Sequence, residues 1–351
     1  MTHLSSNSPS TTSMDILWRS QDDKFFISDS KELFSFEDLR KFLEQQPRWK
    51  GVTQAIWDVA ASHVSVAILG VYKMQQGLKP KQVGVSRVIS DGPRFTFLAD
   101  FFILPSYRGM GLGKALLAVL LASPSFGSKL QRVNIGNSIE LRSLLQKYGG
   151  FKPATFPDAA GIPFMIKQIP NEYESHDECS SILDMEHVQH PSLKEYYLST
   201  RTDLIQLSIV YEFLKTAFWS KQVEQENLPK EVATSDCISI FYKTPDRSDA
   251  EPEQVGFARW ATDRVTFAYL LDVFIVKEHR GKGLGIWLVQ QAMEMPAIRQ
   301  RLPHADITKD IFPRLIMLRT LDAQGLYSRY AGFTELQKGG QGLGIMLRDS
   351  T

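Results

Sequence analysis

The sequence writes one pattern twice. Residues 98–116 read LADFFILPSYRGMGLGKAL, and residues 270–288 read LLDVFIVKEHRGKGLGIWL. Each copy is an apolar run of strand length, then Arg-Gly-x-Gly-Leu-Gly, then an apolar run of helix length. Arg108 and Arg280 stand 172 positions apart, almost half of a 351-residue chain. Two copies of a strand–loop–helix unit at that spacing call for two sheets, each with its own helix behind the loop.

The spacing of 172 holds without a gap from Val83 and Val255 to Pro124 and Pro296. Along it Gly84 matches Gly256, Arg87 matches Arg259, Asp91 matches Asp263, Phe95 matches Phe267 and Asp100 matches Asp272. Upstream the register slips by one or two residues, and Trp49 matches Trp219. Downstream it shifts to 182, where Tyr148, Gly150 and Phe151 match Tyr330, Gly332 and Phe333, so the second copy carries an insertion near residues 299–312. Two similar loops on unrelated domains would not share matches this far from the loop. The chain is expected to divide into a disordered tail (1–13), a first domain (14–169), a polar linker (170–200) and a second domain (201–351), each domain of ordinary size.

Composition excludes several classes. The balance of 40 basic and 39 acidic residues leaves no excess for a nucleic acid. Two cysteines, Cys179 and Cys237, make no disulfide framework and suit a reducing compartment, so a cytoplasmic location is expected. Residues 1–13 are mostly Ser, Thr and Asn with no apolar core, unlike a signal peptide, and no apolar run approaches a membrane span.

Within each copy the same elements are predicted. Leu207, Val210, Phe213 and Leu214 recur at helical spacing within residues 204–219. Strands are predicted over 66–72 and 237–242, then over 82–90 and 254–262, each second strand turning at Asp91-Gly92 or Asp263-Arg264 into the long strand before the loop. The helix behind the loop stops at Pro124 or Pro296. A strand, a helix (140–148; 323–330) and a last strand (164–169; 344–348) follow.

The glycine loop after a strand, with a distal helix ending in Tyr…Gly-Phe, resembles the GNAT superfamily of N-acetyltransferases. The second copy matches closely: Asp272, Val273, Phe274, Ile275 and Val276 precede Arg280-Gly281-Lys282-Gly283-Leu284-Gly285, and Tyr327 precedes Gly332-Phe333. The resemblance implies an α/β fold of two tandem domains, each a mixed, twisted sheet flanked by helices. It implies that acetyl-CoA lies where two parallel strands splay apart, its pyrophosphate on the loop, where glycines admit close approach and helix N–H groups favour an anion. Strand N–H groups at Phe274, Ile275 and Val276 would polarise the thioester carbonyl. Tyr327 would protonate the departing thiolate, as a phenol still protonated at neutral pH can.

Other residues carry competing readings. Asp272 could deprotonate an ammonium, but Asp100 at the matching place favours a structural carboxylate. Glu278 and His279 read as solvated loop charges, and Tyr269 and Trp260 as core before acceptor pocket. His176, His187 and His190 lack ligand spacing, so no metal is expected. The first copy keeps Arg108, Gly109, Gly111 and Gly113 but has Leu145 where the second has Tyr327, and a leucine cannot donate a proton. The resemblance thus implies acetylation of a small-molecule amine in the second half beside a degenerate first half. A protein lysine or N-terminus as acceptor, and a non-catalytic CoA-binding protein, are the alternatives. The fused halves are expected to form an intramolecular pseudo-dimer in a monomeric chain.

Overall fold

A computed structural model of the chain describes residues 16–46, 49, 53–123, 130–134, 139–153, 164–169, 185–217, 219–220, 223–245, 251–299, 314–335 and 345–347. The expected tail, and the expected insertion beyond Arg299, lie outside the described residues. The first of two eight-stranded mixed sheets holds β1 (Ile16–Arg19), β2 (Phe25–Ser28), β3 (Val66–Lys73), β4 (Lys81–Ser90), β5 (Thr96–Ile103), β6 (Leu130–Asn134) and β7 (Lys152–Pro153). The second holds β8 (Phe164–Ile169), β9 (Val188–Gln189), β10 (Tyr196–Ser199), β11 (Asp236–Tyr242), β12 (Glu253–Thr262), β13 (Phe267–Ile275), β14 (Arg314–Arg319) and β15 (Thr334–Glu335). The eighth strand of the first sheet is β16 (Ile345–Leu347), from the far end of the chain.

The last strands are exchanged. β8 lies antiparallel to β14 and β15 in the second sheet, and β16 lies antiparallel to β6 and β7 in the first. The expected division at 169 and 201 is corrected accordingly. Residues 164–169 complete the second sheet, residues 345–347 complete the first, and part of the expected linker forms β9 and β10. Short strands of two and four residues in a polar stretch leave no periodicity to read.

The helices are α1 (Phe36–Leu43), α2 (Gln54–Ser62), α3 (Leu112–Ala122), α4 (Ile139–Gly149), α5 (Leu207–Leu214), α6 (Leu228–Ala233), α7 (Leu284–Glu294), α8 (Pro296–Arg299) and α9 (Gln324–Ala331). Ser35 caps α1 by accepting from the Asp38 amide at 3.3 Å, and Phe36, Leu39 and Leu43 then fall on one buried face. α5 is shorter than predicted because Gln206 is pinned to β12: its amide donates to Gln254 Oε1 and its own Oε1 accepts from the Gln254 amide. α2 and α6 were not predicted. Leu112, Leu116, Leu117 and Leu120 of α3 bury one face of the first sheet, and Leu284, Leu288 and Ala292 of α7 do so in the second. Among the described residues no helix is long and apolar enough to cross a membrane.

The two sheets meet through repeated residues. Phe97 stacks on Phe267 with centroids 3.9 Å apart, and Phe95 lies against Tyr269 at 4.5 Å. These pairs exchange under the sequence repeat, as a pseudo-twofold axis requires. Beside them Arg87 donates from Nε to Asp100 (2.7 Å) and from Nη1 to Asp263 (2.6 Å). Arg259 mirrors it, donating to Asp272 (2.6 Å) and Asp91 (2.8 Å). Each aspartate at the tight turn also holds its own hairpin: Asp91 accepts from the amides of Arg94 and Phe95, and Asp263 from those of Val265, Thr266 and Phe267. The repeat at Arg87, Asp91 and Asp100 is therefore an interface code, with buried charge paired across the two halves.

Candidate active site

The glycine loop of the second half starts where β13 ends. A short 3-10 turn at Lys277–His279 delivers Arg280, whose Nε donates to the Ile275 carbonyl at 2.9 Å. That bond ties the loop to the strand, and the guanidinium rests over the Phe213 ring. Gly281 and Gly283 then adopt φ of +78° and +81°, which a side chain would strain. A Cβ at either would meet nothing within 4 Å, so the loop faces open space. α7 begins directly afterwards without an acidic residue in its first turn. Ile286 and Trp287 already donate to the Gly283 carbonyl, so the N–H groups before them have no helical acceptor. Open space, free amides and a helix N-terminus fit a pyrophosphate. The first half repeats this geometry: Arg108 donates to the Ile103 carbonyl at 3.1 Å, Gly109 and Gly111 have φ of +77° and +79°, and α3 follows.

Beside the loop the parallel strands part. β13 pairs with β14 from Phe267 to Tyr269, and β13 then runs on to Ile275. Val276 donates its amide to the Val255 carbonyl at 2.9 Å, and Phe274 lies opposite Phe257 in the same phase of the ladder. Antiparallel alternation therefore turns the amides of Phe274 and Val276 toward β12 and that of Ile275 toward the gap. This corrects the expectation that all three could polarise a carbonyl. Ile275 is the one of the three whose backbone faces the opening, as the bond from Arg280 to its carbonyl also shows.

Tyr327 lies on α9, which packs against α7, with Leu284, Trp287, Leu288 and Phe333 in the same core cluster. Its ring meets Phe333 edge-on at 6.0 Å. Burial, and secondarily the Asp322 carboxylate, pushes its pKa well above the usual phenol value, so it is protonated at neutral pH. In the first half the matching Leu145 is fully buried and packs in the core beneath α3.

A second asymmetry lies at the loop. Lys282 Nζ donates to Tyr196 Oη at 2.7 Å, and Tyr196 Oη lies 2.8 Å from His279 Nδ1. Lysine is only a donor, so the tyrosine oxygen accepts from it and passes its own proton toward the imidazole. Burial and then Lys282 lower the pKa of His279, which suits a neutral, accepting ring. The hydrogen bond to Tyr196 holds the Lys282 ammonium charged. His279 is thus tied down, and not a solvated loop charge. The first half has Met110, Phe25 and Tyr107 in this place, with Phe25 edge-on to Tyr107.

Asp272 does not stand free to act as a base. Only 5% exposed, it accepts from Arg259 Nε and from Arg94 Nη2, each at 2.6 Å. Burial alone would raise its pKa; the two guanidiniums outweigh that and hold it below the usual carboxylate range. A carboxylate so paired binds a proton poorly, which corrects the reading of Asp272 as a general base. Its φ of +53° places it in the left-handed region, which costs a non-glycine residue about 1–2 kcal/mol. Trp260 and Tyr269 are buried, the indole donating to the Ala292 carbonyl. His187 stacks on Tyr197 and His190 accepts from the Ser192 and Leu193 amides, while His176 lies outside the described residues. No cluster of possible metal ligands occurs among the described residues.

Sequence reasoning missed Tyr196, Arg94 and Glu231. Tyr196 sat in a stretch read as linker, and Arg94 has a threonine as its counterpart, so no repeat flagged it.

The Acetyltransferase (GNAT) family matches the sequence over residues 26–125 and 211–333. A Gibberella zeae protein named "Putative acetyltransferase" is 30% identical over 156 residues, which cover 41% of this chain and 82% of that protein. Among solved structures, a GNAT-family protein of Xanthomonas campestris pv. campestris is 30% identical, covering 42% of this chain and 86% of that one, with a TM-score of 0.32. A tandem GNAT protein from the clavulanic acid biosynthesis pathway is 14% identical, covering 93% of this chain and 99% of that one, with a TM-score of 0.45.

Proposed function

The chain belongs to the Acetyltransferase (GNAT) family, a family of acyltransferases, and we propose that its second half transfers an acetyl group from acetyl-CoA to a small-molecule amine. Bound acetyl-CoA supplies an acetyl group activated as a thioester. Direct attack by the amine asks three things of the protein: an anion cradle, a donor at the carbonyl and a proton for the thiolate. Arg280 to Gly285 offer the cradle, with the backbone open at Gly281 and Gly283 and the charge of Lys282 beside it. The Ile275 amide, facing the gap at the end of β13, is the donor. Tyr327, protonated and on the helix packed against α7, is the acid.

The observation that carries this reading is the coincidence in one half of an open glycine cradle with Tyr327. The first half has the cradle without the acid, and we assign it no turnover of its own. The pseudo-dimer interface is already satisfied within one chain, so the protein is a monomer in solution. Release of free thiol from acetyl-CoA in the presence of a panel of small amines tests the function. Amine-dependent release is expected. A chain that binds acetyl-CoA yet releases no thiol with any small amine, but does so with a peptide, would shift the acceptor to protein. No release with either would leave a CoA-binding protein.

A further inference from the structure

The pseudo-twofold ring of charges is broken at one position. Arg94, in the turn between β4 and β5, is matched in the repeat by Thr266. Thr266 donates to Asp263 of its own hairpin and accepts from Arg87 of the first half at 3.2 Å, touching no carboxylate across the interface among the described residues. Arg94 crosses as a donor, to three acceptors of the second half. Its Nη1 donates to Ser220 Oγ at 2.7 Å, its Nε to Glu231 Oε1 at 2.8 Å, and its Nη2 to Asp272 Oδ2 at 2.6 Å.

The two strand aspartates are consequently held by different means. Asp100 takes one donor from Arg87 and the other from Trp49 of its own half, whose Nε1 lies 3.0 Å from Oδ1. Asp272 takes one from Arg259 and the other from Arg94. Trp219 is 44% exposed, whereas its counterpart Trp49 is 2% exposed. Asp272 also has the positive φ that Asp100 lacks; each aspartate lies beside a register shift, that of β12 and β13 falling between Phe257 and Arg259 and that of β4 and β5 between Arg87 and Val88. The bulge is three residues before Ile275, whose amide faces the gap.

We propose that the first half supplies a positioning residue to the reaction site of the second: Arg94 clamps the Asp272 bulge and thereby sets where the Ile275 amide stands. This rests on the reading that acetyl transfer takes place at β13. The chemistry suits a guanidinium. Its planar fork reaches three acceptors on three separate segments (Ser220, Glu231 on α6, Asp272 on β13), and an ammonium, as a single point of charge, cannot hold all three. The direct clamp runs one way: Thr266 carries no charge to return to Asp100 and bonds Arg87 instead. It also gives a half without Tyr327 a reason to be kept intact: its turn is part of its neighbour's site.

The test compares Arg94→Lys and Arg94→Ala with the wild-type chain by amide hydrogen exchange and steady-state kinetics. Arg94→Lys keeps the charge and the fold but loses the fork. It should raise exchange at residues 273–276 by about tenfold, while residues 101–104 of the first half stay unchanged. Its kcat should fall at least about tenfold, with acetyl-CoA affinity within about threefold of wild type, because the amide is displaced and the glycine cradle is not. Methylguanidinium at millimolar concentration should restore part of the kcat of Arg94→Ala. Unchanged exchange at 273–276, an equal rise in both halves, or raised exchange with wild-type kcat would overturn the proposal. A chain that acetylates no amine but shows the local rise in exchange would remove the acetyl-transfer reading and leave the clamp standing.

Discussion

Around the first glycine loop, Met110 stands exposed where the second has Lys282, Phe25 lies edge-on to Tyr107, and Leu145 is buried in the core. Around the second, Lys282, Tyr196 and His279 make a hydrogen-bonded chain, and Tyr327 stands where the leucine was. Yet Arg87, Asp91 and Asp100 are matched by Arg259, Asp263 and Asp272 at every position. Outside the glycine loops, the charges identical in the two halves belong to scaffold. The repeated charges sit in the interface, where removing one partner leaves another buried and unpaired. The proton donor and the side chains around the loop are where the halves disagree, and the difference in turnover is expected there.

The scaffold side of this contrast is the place to expect the largest loss. Asp272→Asn should destabilise the chain by about 3–5 kcal/mol in denaturant titrations, since Arg259 and Arg94 lose their shared buried negative charge. A stable variant whose only defect is a displaced acid limb in kcat/KM would return Asp272 to the role of base.

On the chemical side, Tyr327→Phe keeps the ring and removes the proton. Turnover should fall about 10²-fold with little change in acetyl-CoA affinity. Wild-type turnover would show that water or another group protonates the thiolate. Lys282→Met makes the second loop resemble the first. It should weaken acetyl-CoA binding about tenfold by calorimetry without unfolding the chain; unchanged affinity would mean that Lys282 serves only to brace Tyr196.

The smallest effect is expected from acid. Burial works to raise the Asp263 carboxyl, but Arg87, Thr266 and the Phe267 amide outweigh it and hold it at about 2, below its ordinary 3.8. A depressed carboxylate stabilises the fold above its unfolded pKa, and that stability drains as pH falls from about 4 toward 2. Asp272 is shifted in the same direction. Unfolding midpoints should therefore drop across this window. A flat profile would show that the paired aspartates contribute nothing net to the interface.

Much of this was legible in the sequence. Gapless spacing over 42 residues disclosed the duplication, and the positive φ at Gly281 and Gly283 is what Gly-x-Gly before a helix requires. The exchange of β8 and β16 was not legible, because a strand's pattern records which face is buried and not which sheet it joins. The fate of Asp272 was half legible. Asp100 hinted at structure, but the second guanidinium comes from Arg94, 178 residues away and matched to a threonine. Ladder phase, which separates the Ile275 amide from those of Phe274 and Val276, depends on pairing geometry that residue type does not encode.

In the proposed reaction one half of the duplicated chain reacts and the other supports it. Turnover of Gly283→Val and Gly111→Val, measured side by side in the amine-dependent thiol-release assay, tests it most directly. Valine at either position meets an open cradle and a positive φ, so the two substitutions strain the chain alike. Gly283→Val should abolish turnover, and Gly111→Val should leave it largely intact. Equal loss from both, or loss from Gly111→Val alone, would contradict this division of roles.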